Sequence, residues 1–220
     1  MKQKHRLTAL LTSLCLLLSM LPISSLPVLA ANGTLEGDGT EESPYQIADG
    51  DDLKAFRDLV NGGGNDAWAV LTADIVLNED LDQDKFAVDV DDNLTYDGNA
   101  VIPDFEQWTP IGNNSRPYTG TFDGGGHTVS GVYINTPNVS DQGLFGYVGS
   151  SSTAGTVQNL GVVNSCIRGA SYVGGVVGYV EYSASITNCY NTGSVTGAYI
   201  NIGGVAGYVY HSSTVTNCYN

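Results

Sequence analysis

The chain has 220 residues, 42% of them hydrophobic, and carries 8 Lys and Arg against 23 Asp and Glu, a formal net charge of −15. A surface this acidic repels nucleic acid, whose affinity for proteins comes from neutralised phosphates, and it disfavours anionic lipid surfaces and polyanionic glycans. Four cysteines without a C-x-x-C pair offer neither a disulfide framework nor a structural zinc pattern.

Residues 1–30 have the three-part layout of a secretory signal peptide. A basic start, "MKQKHR", precedes the apolar run "LTALLTSLCLLLSML", and "PVLA" places small or short residues at Val28 and Ala30 before a cut after Ala30. The apolar run is shorter than the ~20 residues a membrane span needs. Cleavage removes Lys2, Lys4 and Arg6 and leaves five bases against 23 acids, with Cys166, Cys189 and Cys218 as the remaining cysteines. The expected location is therefore extracellular, secreted or at a cell surface, with no membrane insertion after cleavage.

Residues 31–77 read as an N-terminal cap of strand, helix and strand. Asp51 is placed to cap a helix whose Leu53, Phe56 and Val60 share one face, and Asn61-Gly62 ends it. "WAVLTADIVL" reads as a strand. Residues 78–107 are acid-rich with irregular apolar spacing, which predicts a loop or insertion. Asp80, Asp82 and Asp84 resemble the opening of a calcium loop. Lys85, however, occupies the glycine position of an EF-hand, and no Glu follows at the bidentate position, so a solvated acidic loop is the expected role of 79–97.

Residues 108–142 begin the β-rich part. In "TFDGGGHTVSGV", Asp123 and His127 suggest a catalytic pair, but no nucleophile or second carboxylate accompanies them at fixed spacing. Gly124–Gly126 instead predict a tight turn between strands, without the strand-then-helix context of a phosphate-binding loop.

Residues 143–220 are repetitive. "GLFGYV", "GGVVGYV" and "GGVAGYV" recur at Gly143, Gly175 and Gly204, and "VQN", "ITN" and "VTN" recur at Val157, Ile186 and Val215, the last three 29 residues apart. The three extra residues of the first unit fall in "GSSSTAG", as a loop tolerates. Each unit holds three short β-like pieces and cannot bury its own apolar face, so the period predicts a solenoid in which coils bury one another. The fold class is all-β, a right-handed parallel β-helix with a short N-terminal capping helix.

Stacking places like on like. Val157, Ile186 and Val215 form an inner aliphatic column, and Leu160, Cys189 and Cys218 the next, with cysteine acting as a small hydrophobe. Asn159, Asn188 and Asn217 predict an amide ladder. Tyr147, Tyr179 and Tyr208 share one column and Tyr190 and Tyr219 another. The first three are the candidate ligand contacts, since flat rings with polar tips suit sugars and protein partners. Arg168 and Glu181 are the only charged residues between Gly143 and Asn220, and His211 is the only histidine there. That stretch lacks the paired carboxylates of glycoside hydrolysis and the ligand cluster of metal-assisted hydrolysis. No catalytic, cofactor or metal residue is therefore assigned.

Gly143-Leu144-Phe145-Gly146, with degenerate copies at Gly175–Gly178 and Gly204–Gly207, resembles the motif of the GLUG-repeat proteins of bacteria. "PYQIADGDDLKAFRDLVNGG", "WTPIG", "YTGTFDGGGHTVSGVYIN" and "NCYNTGSV" resemble the segments that precede or join such repeats, so the likeness covers nearly all of the mature chain except the acidic insertion. The resemblance implies a secreted or surface-attached β-helical module. Such repeats also occur beside the protease domain of IgA-cleaving metallopeptidases, whose zinc motif H-E-x-x-H is absent from this sequence. The expected function is a non-catalytic stalk or adhesin-type scaffold that presents a surface to a host or environmental glycan or protein. The alternative is the accessory region of a secreted metallopeptidase or polysaccharide-degrading enzyme. Because the third unit stops at "TVTNCYN", a raw sheet edge is expected there and, with it, a longer native product.

Overall fold

A computed structural model describes residues 35–220; the expected signal peptide, residues 1–30, lies outside the described residues. The chain enters through β1 (Tyr45–Ile47) and then α1 (Gly50–Gly62). The cap of α1 is Asp49, two residues before the expected Asp51. Its carboxylate accepts from the backbone N–H groups of Asp51 and Asp52, both at 2.9 Å, and so satisfies two of the donors that a helix start leaves open. Leu53, Phe56 and Val60 lie on one face and are fully buried. Gly63, at a φ of 124°, ends the helix by returning its N–H to the carbonyl of Val60. The buried face closes one end of the core, where the Phe56 ring meets Tyr118 at 6.0 Å and Phe122 at 5.7 Å.

The expected strand "WAVLTADIVL" divides into β2 (Ala69–Leu71) and β3 (Ile75–Val76), with a bend between them. Residues 78–107 form more than a loop. After a single 3-10 turn at Gln83–Lys85, β4 (Phe86–Val88) and β5 (Leu94–Tyr96) pair as an antiparallel hairpin. The cause is a set of aromatics spaced among the acids. Phe86, Tyr96 and Phe105 gather with Tyr133, with ring centroids of the two phenylalanines 5.7 and 5.6 Å from Tyr133. Leu81, Leu94 and Cys166 complete this second, smaller core. The irregular apolar spacing that suggested a loop therefore belongs to a hairpin docked on the main body.

The solenoid proper follows. β6 (Thr121–Asp123), β7 (Thr128–Ser130), β8 (Tyr133–Asn135) and β9 (Phe145–Val148) lead into β10 (Thr156–Gln158), β11 (Gly161–Val163) and β12 (Cys166–Gly169). The next coil runs through β13 (Val173–Gly174), β14 (Val177–Val180), β15 (Ser185–Thr187), β16 (Tyr190–Asn191) and β17 (Ser194–Gly197). β18 (Ile202–Gly203), β19 (Ala206–Val209) and β20 (Thr214–Thr216) repeat its first three walls. The walls are β1-β2-β6-β10-β15-β20, β3-β7-β11-β16, β8-β12-β17, β13-β18 and β9-β14-β19. Every pairing in them is parallel, which makes the fold a parallel β-solenoid. β2 and β3 belong to two of these walls, so the N-terminal segment is the first course of the solenoid as well as its cap.

A coil has five short walls where three strands per turn were expected. Each of the longer pieces is broken by a corner. Asn159, Asn188 and Asn217 take left-handed φ values of 54°, 54° and 55°, which split "ASITNCYN" and its equivalents into two walls. The glycine doublets of the GLUG-like phrase bend the chain a second time. Phe122, Val157, Ile186 and Val215 stand in register as one column, of which Phe122, Val157 and Ile186 are buried inside while Val215, on the last strand, is exposed rather than part of the expected inner column. Leu160 and Cys189 are buried beside it, and Cys218 is half-buried. Burial pushes the thiols of Cys166 and Cys189 up to about 12, so both remain protonated hydrophobes.

The recurrent glycines also make room for a polar core residue. Asn191 is fully buried, donates to the Gly193 carbonyl at 2.9 Å and to Asn220 Oδ1 at 2.8 Å, and accepts from the Gly193 N–H at 3.2 Å. A Cβ on Gly175 would collide with the Asn191 amide, and one on Gly204 with that of Asn220. The phrase "GG" and the phrase "NCYN" are thus two halves of one packing unit.

Candidate functional site

The tyrosine column stands on the wall β9-β14-β19. The register of these strands sets Tyr179 beside Tyr147 and Tyr208. Tyr147 and Tyr179 stack with ring centroids 4.5 Å apart and planes 8° from parallel, and Tyr208 follows at 5.1 Å, tilted by 54°. Tyr172 leans edge-on against Tyr179 at 5.2 Å and meets Tyr208 at 5.4 Å, tilted by 53°. Stacked rings contribute on the order of 0.5–1.5 kcal/mol per pair beyond their buried area, so the column ties coils together as well as forming a surface.

The three candidate contacts are unequal. Tyr147 is buried and its hydroxyl donates to Glu181, so it offers little ring to a ligand. Tyr179 and Tyr208 are half-buried and supply the accessible part. Burial and the Glu181 carboxylate push the Tyr147 phenol far above its ordinary value, and burial with the same carboxylate raises Tyr179 to about 12. Both phenols therefore stay protonated rather than acting as nucleophiles, and that of Tyr147 donates to Glu181. The second column, Tyr190 and Tyr219, stacks at 5.0 Å with planes 2° apart.

Asn188 Nδ2 donates to Asn159 Oδ1 at 3.0 Å, and Asn217 Nδ2 donates to Asn188 Oδ1 at 3.2 Å. At the head of this row Asn159 Nδ2 donates to Asp123 Oδ1 at 2.9 Å, and Gln158 Nε2 donates to Asp123 Oδ2 at 2.8 Å. Asp123 also accepts from the Gly125 N–H at 2.8 Å. His127 is engaged elsewhere, with Nδ1 at 3.4 Å from Asp74 Oδ1. Asp123 and His127 accordingly serve a ladder and a corner, and their shared stretch is the glycine turn.

Asp82 caps the short 3-10 turn by accepting from the Asp84 N–H at 3.1 Å, and Lys85 lies 3.7 Å from Asp82. Among the described residues no group of three or more His, Cys, Asp or Glu side chains gathers as a metal site would require. His211 is exposed and stacks on Tyr182 at 4.8 Å with planes 7° apart.

Two charged residues have roles that sequence reasoning missed. Arg168, only 6% exposed, binds Asp92 at the tip of the β4–β5 hairpin, donating to its backbone carbonyl at 2.7 Å and its carboxylate at 2.8 Å. Glu181, 9% exposed, holds Tyr147 across 34 residues of sequence. Their signal in the sequence was rarity: they are the only charges in the repeats, and a lone charge inside a packed coil needs a partner.

Residues 169–196 match the family model described as the GLUG motif. The chain is 31% identical over 168 residues to "Halomucin" of Haloquadratum walsbyi, covering 76% of this chain and 2% of that protein. It is 29% identical over 131 residues to a "Putative Gly-rich membrane protein" of Evansella cellulosilytica, covering 60% of this chain and 12% of that one. The chain therefore spans a small fraction of the curated relatives it matches. Among solved structures it is similar to that of "a putative immunoglobulin A1 protease from Bacteroides ovatus", with a TM-score of 0.50 and 19% identity over 83% of this chain and 48% of that one. At that identity the likeness concerns the fold alone.

Proposed function

From a chain that carries the GLUG motif on a parallel β-solenoid, we propose a non-catalytic extracellular module, a stalk or adhesin-type scaffold of a surface or secreted protein. The observation that carries this reading is the ladder construction. Asn159, Asn188 and Asn217 bond coil to coil at one corner, while Tyr147, Tyr179 and Tyr208 stack along another wall. Each ladder repeats at the coil spacing, so the polar groups of one turn are spent on holding the next. Such a body transmits position and displays a surface, with Tyr179 and Tyr208 as the contacts on the column.

A second reading is supported by the resemblance in fold to the Bacteroides ovatus protein: the module would be the arm of a secreted enzyme whose catalytic groups stand in another domain. Both readings make the same statement about these residues, that they position rather than react. The test is incubation of the purified chain with panels of glycans and proteins, immunoglobulin A1 included, followed by product analysis. Intact substrates are expected, and turnover that follows the protein through purification would overturn the non-catalytic reading.

A further inference from the structure

Three cavities join into one trough beside the tyrosine column. The largest, of about 440 Å³, lies between Trp108, Pro110, Asn113 and Asp141. Asn114 also borders the second, of about 250 Å³, which contains Tyr147 and Glu181. Ser150, Ser151 and Tyr182 border both the second and the third, of about 360 Å³, where Tyr182 and His211 form a flat stacked pair. Amides, hydroxyls and ring faces dominate the lining, and no Lys or Arg contributes to any part of it.

The trough holds two carboxylates without a cation. Glu181 is nine-tenths buried, and the single hydrogen-bond partner of its carboxylate among the described residues is the Tyr147 hydroxyl. Asp141 makes no side-chain hydrogen bond or ion pair among the described residues, and burial raises its carboxyl to about 6. A Cβ on Gly146 would lie 3.0 Å from the Asp141 carbonyl oxygen and one on Gly178 2.7 Å from its carbonyl carbon, so Asp141 packs against the residues next to Tyr147 and Tyr179, while Glu181 accepts from the Tyr147 hydroxyl. Neither nearby guanidinium bonds to these carboxylates: Arg57 lies over Trp108 and pairs with Asp58, and Arg116 donates to the Asn61 carbonyl. Half-buried and buried carboxylates without a cationic partner are costly, and a cationic ligand would offset that cost.

We infer that this trough binds a glycan bearing free amino groups, whose ammonium groups pair with Asp141 and Glu181 while its hydroxyls meet the Asn and Ser lining. Flat rings at Tyr182 and His211 and amide-rich walls suit sugar rings better than an extended basic peptide. The inference deepens the display reading and rests on it only for the exposure of the trough.

The experiment is isothermal titration of the purified chain with a glucosamine hexamer, an N-acetylglucosamine hexamer and hexalysine, with product analysis of each sample afterwards. The glucosamine hexamer should bind, and loss of its charge by acetylation should weaken binding at least about tenfold, as should Asp141→Asn. Glu181→Gln should do the same where circular dichroism shows it folded; Asp141, which is only half-buried, carries the test if that variant unfolds. Equal binding of the acetylated hexamer, equal or tighter binding of hexalysine, or binding of none of the three would overturn the inference. Cleaved hexamer would overturn the non-catalytic reading and leave the binding result standing.

Discussion

Asp123 closes the asparagine row: its Oδ1 accepts from Asn159 Nδ2 at 2.9 Å, so the first rung ends on a carboxylate rather than on solvent. A stacked amide passes its donor up and its acceptor down, and the row needs an acceptor-only group at its head. Asp123 is that group, and it draws a second amide from Gln158.

The middle rung is the place to measure the ladder. Asn188 donates to Asn159, accepts from Asn217, and sits at a φ of 54°. Asn188→Gly keeps the left-handed corner and removes both amide bonds, at a cost of about 1–2 kcal/mol for partly exposed hydrogen bonds. Asn188→Ala removes the same bonds and adds the left-handed penalty, about 1–2 kcal/mol more. Urea denaturation of the two variants checks the order. If glycine and alanine cost the same, the corner is not held at positive φ.

The glycine of the motif makes a sharper test. In Gly175→Ala the new methyl meets the Asn191 amide inside a packed coil, which should destabilise by about 1–3 kcal/mol. In the Asn191→Ala background the collision with the amide is gone while that with the Gly204 carbonyl oxygen, 2.5 Å from the new methyl, remains, so the two substitutions should couple in part rather than simply add. Strict additivity in a double-mutant cycle by urea denaturation would show that the glycine serves something other than Asn191.

Arg168 secures the hairpin. Replacing it with methionine keeps the apolar stem and removes the bonds to Asp92, a loss of about 1.5–3 kcal/mol of local stability, reduced by the exposure of Asp92. Amide hydrogen exchange should accelerate over residues 86–96 and stay slow in β10, β12 and β15. Uniform acceleration across the chain would mean that the hairpin and solenoid open as one unit.

The parts of this fold that follow from period were legible in the sequence. The register of Val157, Ile186 and Val215 comes from a 29-residue spacing that can be counted, and the buried face of α1 from Leu53, Phe56 and Val60 at helical intervals. What escaped depends on contacts far apart in sequence. The partner of Asn61 is Gly112, that of Arg168 is Asp92, and that of Glu181 is Tyr147, none of which any local pattern announces. The five-walled coil escaped for a different reason. A left-handed asparagine reads as an ordinary strand residue until its φ is known, so one apparent strand concealed a corner. The hairpin of residues 86–96 was hidden by its charge, since its aromatics find their surface only on Tyr133 of the solenoid.

Asp141 gives the candidate trough a signature in stability. Burial raises its carboxyl from an ordinary value of 3.8 to about 6, so the folded chain holds this proton more tightly than the unfolded chain does. The stability contributed by the protonated group is fully present below about pH 4 and is lost as pH rises through about 6, above which the penalty is constant. Asp141→Asn removes the titration while keeping a side chain that tolerates the native φ of 59°. The variant should match the parent chain in urea midpoint near pH 4 and exceed it at pH 7.5, with the other carboxylates cancelling in the comparison. Midpoints that diverge at pH 4 and converge at neutral pH would mean that the folded chain stabilises the charged form of Asp141, and that a cation of the protein already satisfies the trough.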